Sequence, residues 1–267
     1  MEQVTERVRP PAVAGMFYPA DPGQLKLTVD SFLERQPPRC RDIPKAIIAP
    51  HAGYVYSGPV AASAYACLKP ARGRIERVVL LGPAHRVAFS GLAVPSVDYF
   101  ETPLGLVPVD KAAVERIATL PQVRVLDEAH AFEHSLEVQL PFLQEALGEG
   151  FEIVPLVVGD ASPQEVAEVI EALWGGPETL IVVSSDLSHY YDYDTARKLD
   201  TITSKAIEAL DPTAIHFEQA CGRTPVAGLL LAARRHGLQA ETLDLRNSGD
   251  TAGDKSRVVG YGAYVFH

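Results

Sequence analysis

Lys45-Ala-Ile-Ile-Ala-Pro-His51, Arg77-Val-Val-Leu-Leu-Gly-Pro-Ala-His85 and Thr179-Leu-Ile-Val-Val-Ser-Ser-Asp-Leu-Ser-His189 share one design. Each is a short run rich in β-branched residues that ends in a turn and a histidine. Continuous apolar runs of this length predict strands buried on both faces of a parallel sheet. In open α/β sheets, ligands lie beyond the carboxyl ends of the strands. Three strands are therefore expected to aim His51, His85 and the Asp186/His189 pair at one edge. That is the layout of an active site and of a metal site.

Working outward from these runs, helices and strands alternate, which predicts an α/β protein. Residues 10–22 are rich in Pro, Gly and aromatics and should lie as an ordered, irregular arm over the core. Asp21-Pro22 reads as a helix cap followed by proline at the first helical position. That helix should run to about Arg35 and be ended by Pro37-Pro38. A loop over 53–58 should follow His51, then an Ala-rich helix over 59–68. Short strands are expected over 91–95 and 123–126, with an extended stretch over 98–109. Asp110 should cap a helix to about Leu120. Residues 133–147 read as helical, with Pro141 at a kink or near a first turn. Residues 151–159 read as a strand, and Ser162 caps a helix to about Trp174. Further helices are expected over 194–210, 212–220 and 225–236, and strands over 241–246 and 258–266. No low-complexity linker divides the chain. One domain spanning 1–267 is expected, with a central, mostly parallel mixed sheet flanked by helices.

The chain has 267 residues, 47% hydrophobic and 22% charged, with a net charge of −10. The length can bury a substantial core. The acidic balance argues against nucleic acid or an anionic membrane as a partner. No apolar stretch reaches membrane-spanning length. The charged start lacks the apolar segment of a signal peptide. A cytoplasmic protein is expected. Three cysteines, Cys40, Cys67 and Cys221, are too few and too scattered for a disulfide framework. Cys67 reads as a small buried hydrophobe.

His51 and His85 each have an ordinary alternative, a histidine that hydrogen-bonds loop backbone. Their equivalent placement on two strands favours a joint role, and imidazole is a common ligand for Zn, Cu and Fe. Cys221-Gly222-Arg223-Thr224-Pro225 offers a third ligand. A cysteine beside a helix start should have thiolate character. Asp186 and His189 suit acid/base work with an orienting carboxylate, or simple capping of the next element. His130-Ala-Phe-Glu-His134-Ser-Leu-Glu137 is a rival metal motif, with His at i and i+4. Glu133, His134 and Glu137 can instead support the first site, and His130 reads as part of a solvated helix start. No Walker A loop, G-x-G-x-x-G or G-x-S-x-G motif is present, which argues against nucleotide binding and serine hydrolysis.

These residues resemble the Memo family, whose prokaryotic members are also called AmmeMemoRadiSam system protein B. The resemblance is carried by Ala14-Gly-Met-Phe-Tyr-Pro19, Ile47-Ile-Ala-Pro-His-Ala-Gly-Tyr54 and Tyr56-Ser-Gly58. It continues through Leu81-Gly-Pro-Ala-His85, Glu133-His-Ser-Leu-Glu137 with Leu140-Pro141, and Val182-Val-Ser-Ser-Asp-Leu-Ser-His189. Cys221-Gly222, Pro225 and the terminal Gly-Tyr-Gly-Ala-Tyr run complete it. It implies a fold like class III extradiol dioxygenases, which hold non-haem iron with two His and a carboxylate.

In Memo-like proteins a Cys replaces that carboxylate. The implied ligands here are His51, His85 and Cys221, the acid/base histidine is His189, and the site aspartate is Asp186. Thiolate is a softer donor than carboxylate, so ring cleavage does not transfer with the fold. The resemblance implies Fe(II) or copper as cofactor. It also implies functional association with radical-SAM and AMMECR-type proteins, and redox or phosphopeptide-binding roles known for animal members.

The sequence thus leads to a metal-dependent, dioxygenase-like oxidoreductase. Tyr54, Tyr56, His134 and Glu137 are its candidate pocket groups. Its substrate, a small molecule or a peptide, is not named by the residues. The alternatives are a non-catalytic peptide- or protein-binding module using the same cleft, and a copper-handling protein.

Overall fold

Burial of the three histidine-bearing runs sets the architecture. In chain order the strands are β1 (Val8–Arg9), β2 (Ala46–Ala49), β3 (Arg77–Pro83), β4 (Leu92–Val94), β5 (Tyr99–Thr102), β6 (Gly105–Pro108), β7 (Val123–Val125), β8 (Glu152–Val158), β9 (Thr179–Ser184), β10 (His189–Tyr191), β11 (Ala240–Asn247) and β12 (Val258–Phe266). The helices are α1 (Pro22–Glu34), α2 (Tyr54–Tyr65), α3 (Lys111–Ile117), α4 (Asp127–Ala131), α5 (Leu140–Leu147), α6 (Pro163–Ala172), α7 (Tyr193–Glu208), α8 (Arg223–Arg235) and α9 (Ser248–Thr251). This computed structural model describes residues 6–37 and 39–267, so Pro38 lies outside the described residues.

The large sheet has the order β10-β12-β2-β9-β3-β8-β4-β7, with β11 also on β12. Strands β2, β9, β3 and β8 run parallel to one another, with Ala49 beside Ser184, Leu81 beside Val183 and Pro83 beside Val158. β12 and β4 bound this group in antiparallel sense. Every residue of β2 and β9 is buried. Continuous apolar strands belong where helices cover both faces of a sheet. Here α1 packs against α2 and α5, and α6 against α8. A smaller sheet, β1-β5-β6, accounts for the extended stretch after Asp98. The fold is α/β with a large mixed sheet flanked by helices, as expected.

Caps behave as read. Asp21 accepts the Gln24 N–H, with Pro22 at the first turn, and Ser162 forms a capping box with Glu165. Four expectations need correction. First, α2 begins at Tyr54 and carries Pro59 inside it. Gly58-Pro59 looks like a turn, but a Cβ at Gly58 would lie 2.5 Å from the Phe32 ring. Gly58 is a notch for close packing of α1. Second, 133–136 is not helical. The Glu133 carboxylate accepts the N–H groups of His134 and Ser135 and closes a turn, while Pro141 sits in the first turn of α5, one of its two expected placements. Third, 212–220 forms two 3-10 turns, Pro212–Ala214 and Phe217–Gln219, and α8 starts at Arg223 with Gly222 as its cap. Fourth, Cys40 and Cys67 are joined by a disulfide. Cys67 is buried as expected, but neither residue is a free thiol.

Candidate metal centre

The neighbouring strands β2, β9 and β3 deliver His51, Asp186 with His189, and His85 to the same sheet edge. Cys221 arrives from the loop before α8. One ligand atom from each of His51, His85 and Cys221 lies within 4.8 Å of the others. The His51 Nε2–Cys221 Sγ distance is 3.2 Å. The three residues sit at a cavity of about 780 Å³ that His134, Asp186 and His189 also line.

Hydrogen bonds decide which ring nitrogen each histidine offers. Ser184 Oγ spends its single proton on the Ser135 carbonyl (2.6 Å), so it accepts from His51 Nδ1 (2.9 Å) and Gln139 Nε2 (2.9 Å). His51 therefore carries its proton on Nδ1 and presents a bare Nε2 toward Cys221. On the other side, His85 Nδ1 lies 2.9 Å from Glu133 Oε1, and the His85 backbone N–H donates to Glu133 Oε2 (2.6 Å). Burial alone would push the Glu133 carboxyl up. Its hydrogen bonds to His85 and to the Ser135 N–H outweigh burial and hold it at about 2. Glu133 is thus an anion that receives Nδ1–H, and His85 also offers Nε2. Carboxylate and hydroxyl partners of this kind orient metal-binding imidazoles.

Burial holds His51 well below the ordinary histidine range, helped by the nearby His85, His134 and His189. Burial also lowers His134 to about 4 and lowers His189. The expected thiolate at Cys221 is not borne out. Burial, with Asp186 beside it, pushes the thiol up to about 12. Desolvation of the anion outweighs the adjacent helix start. Two imidazoles and a buried thiol make a donor set whose thiol proton a cation would displace, because metal binding and deprotonation are linked. Two nitrogens and one sulfur suit a borderline or soft transition metal, so these residues fit the group that the fold and sequence imply.

Asp186 is buried, accepts the His51 N–H at 2.7 Å, and is raised to about 7 by its burial. It does not orient His189. His189 Nδ1 donates instead to the Leu187 carbonyl at 2.8 Å, which leaves its Nε2 unprotonated. His134 stacks on His85, with ring centroids 4.6 Å apart. Three candidate pocket groups belong elsewhere. Tyr54 is buried and donates to the Val138 carbonyl. Glu137 is fully buried under the arm, where it pairs with Arg9 at 2.6 Å and accepts from Ala12 N, Val13 N and the Tyr18 hydroxyl. Tyr56 is exposed at the start of α2, outside the cavity lining. His130 is also corrected. It is buried, and its Nε2 donates to the Ala93 carbonyl.

Sequence reading missed Ser184 and Gln139, whose roles depend on turns rather than periodicity. It also passed over Asp160, which follows β8, the fourth parallel strand, and lines the same cavity. The strand run ending at Gly159 was the available signal.

The arrangement is that of an α/β protein with a two-histidine, one-cysteine centre at the carboxyl edge of its parallel strands. The Memo-like protein family profile matches residues 9–265. A MEMO1 family protein from Aquifex aeolicus is 40% identical over 271 residues, covering 97% of this chain and 99% of that one. Relatives from Sulfolobus acidocaldarius (37%, covering 95% of this chain and 97% of that one) and Methanopyrus kandleri (38%, covering 97% and 98%) carry the same description. The chain belongs to the Memo-like family. A crystal structure of an uncharacterized protein from Escherichia coli K12 shares the fold, with a TM-score of 0.57 at 15% identity. The match covers 84% of this chain and all of that one. Among the described residues, no helix is long and apolar enough to cross a membrane.

Proposed function

We propose that this chain is a metal-dependent redox enzyme, dioxygenase-like in its layout, whose centre is His51, His85 and Cys221. The observation that carries this reading is the convergence of their three ligand atoms within 4.8 Å, beneath a cavity wide enough for a small molecule. Bound there, Fe(II) or copper would supply one-electron chemistry and a site for oxygen. The protein's own part is positional. Ser184 and Glu133 fix the tautomers of His51 and His85. His189, neutral because it is buried and with Nε2 unprotonated, accepts a proton from substrate. Asp186 holds the His51 backbone in place and, near neutrality, exchanges its own proton.

A second reading is a binding module that recognises a peptide in the same cleft. It draws on the exposed rings of Tyr190 and Phe217 at the cavity rim.

The test is anaerobic titration with Fe(II) and Cu(I), followed by oxygen-uptake screening. Cys221→Ser should lower metal affinity by more than the roughly 100-fold that loss of a supporting group costs. His189→Gln should keep its metal and lose oxygen uptake. If Cys221→Ser binds metal like wild type, and wild type gains no thermal stability from either ion, the metal-enzyme reading falls and the binding module stands.

A further inference from the structure

Four parallel strands end at the site edge, and three of them deliver residues of the centre. The fourth, β8, ends at Gly159-Asp160. Asp160 is fixed from both sides: its N–H donates to the Phe89 carbonyl at 2.8 Å, and its own carbonyl accepts the Gly91 N–H at 2.7 Å. Gly159 makes this closeness feasible, since a Cβ there would lie 2.3 Å from the Phe89 carbonyl oxygen. The Asp160 side chain is nonetheless exposed, and it forms no ion pair among the described residues. A rigid backbone therefore holds a free carboxylate at the edge where α/β sheets bind ligands.

Beside it lies a cleft of about 510 Å³, contiguous with the metal cavity through Pro83, Ala84, Asp160 and Cys221. Its walls include Val87, Phe89 and Pro225, and Asp160 is its only charged lining residue among those described. Arg223, the cation of the larger cavity, does not line this cleft and lies over the Phe217 ring at 5.4 Å. Apolar walls with one convergent charged group are the usual composition of a small-molecule subsite.

We propose that this cleft is a substrate subsite for an apolar group bearing an ammonium, with Asp160 as the counter-charge. Cys221 at the shared wall places that group next to the metal centre, so the subsite sets which molecules reach it. This rests on the function proposed above. The chemistry of recognition is an ion pair at the edge of an apolar wall, where the walls favour a carbon chain over a bare cation.

The probe is n-hexylammonium, titrated by calorimetry and by backbone amide shifts, with hexanoate and methylammonium as controls. Hexylammonium should bind wild type and shift the amides of Phe89, Gly159 and Thr224. Methylammonium should bind at least about tenfold more weakly, as expected when several methylenes leave an apolar surface. Hexanoate should not bind. Asp160→Asn should weaken hexylammonium at least about tenfold, as loss of a charge-assisted hydrogen bond predicts, while its Fe(II) affinity stays at the wild-type value. Equal binding by Asp160→Asn, equal binding of hexanoate, or shifts scattered over the acidic surface would overturn the subsite. If wild type binds hexylammonium as expected but holds neither Fe(II) nor Cu(I), the metal function fails and the subsite remains. If the protein binds metal but hexylammonium binding does not depend on Asp160, the subsite fails and the metal function remains.

Discussion

The two sides of the centre are built on opposite principles. The His51 side is dry. His51 is 2% exposed and Asp186 4%, and the partners of His51 Nδ1 and of Ser184 are neutral hydroxyl and amide groups. The His85 side is wet. Its side chain is 28% exposed and leans on the ionised Glu133. The dry side is bracketed covalently, because Cys40 and Cys67 enclose β2, His51 and α2 in one disulfide loop. The wet side is bracketed by charge. Arg9 pairs with Glu137 and also donates to the carbonyls of His130 and Glu133, on the turn that carries Glu133. Burial sets protonation on one side, and explicit partners set it on the other. Perturbing one bracket should therefore leave the other side in place.

The largest effect is expected at the charged bracket. Glu137→Ala leaves the Arg9 guanidinium buried without its counter-ion and removes the acceptor of two backbone N–H groups and a tyrosine hydroxyl. Breaking a buried pair by deleting one partner costs about 3–5 kcal/mol. Urea denaturation should show this loss. Proteolysis should open the arm over 10–20 before it cuts near β2. If the region around His51 opens first, the two brackets are not independent.

Reducing the disulfide is the matching experiment on the dry side. A loop closed over a sequence separation of 27 restricts the unfolded chain by roughly 3.5 kcal/mol on chain-entropy grounds. Reduced protein, or the Cys40→Ser variant, should unfold at correspondingly lower urea. Its Fe(II) affinity should barely change, since His51 is held by Ser184 and Asp186 in the folded state. An affinity that falls with the disulfide would make it part of the site.

Burial on the dry side also predicts a pH dependence. Asp200 supports the 186–189 loop by accepting the Ser188 N–H at 3.0 Å, and burial pushes its carboxyl up to about 6. In the unfolded chain it titrates near about 4. Between those values the folded state binds more protons, so stability falls as pH rises through the window. The loss is roughly 3 kcal/mol and complete above the folded pKa. Asp200→Asn keeps the shape without the charge and should remove this one contribution, so the fall in stability between pH 4 and pH 6 becomes smaller than in wild type. An unchanged slope would assign the dependence to another group.

How much of this was legible in the chain depends on what specifies each feature. The strand runs showed the sheet and its active edge, because burial writes itself into continuous β-branched sequence. They also pointed to the ligands, since a residue just past a buried strand has few places to go. Turns were less readable. Glu133 and Glu137 are four residues apart, and a helical reading puts them on one face. The side chain of Glu133 closes a turn instead, so one glutamate meets His85 and the other the arm. Gly58-Pro59 reads as a break, but packing against Phe32 decides it. The Cys40–Cys67 contact is made by tertiary packing and leaves no local pattern. Three cysteines gave no reason to pair those two.

The smallest expected effect is also the sharpest test of the contrast. Glu133→Gln keeps an acceptor near His85 Nδ1 but removes the charge, and Ser184→Ala removes the acceptor from His51 Nδ1. Supporting groups of this kind are worth about 10–100-fold in metal affinity. For Glu133→Gln a folding cost of about 1–3 kcal/mol should join the lost affinity, because Glu133 is itself buried and its carboxylate also accepts the backbone N–H groups of His85, His134 and Ser135. For Ser184→Ala the buried His51 Nδ1–H and Gln139 amide lose a shared partner that no water replaces. A folding cost of about 1–3 kcal/mol should accompany the lost affinity. Parallel metal titrations and denaturation curves separate the two quantities. If Glu133→Gln lowers affinity with no loss of stability, the turn over 133–136 does not need the carboxylate, and Glu133 serves His85 alone.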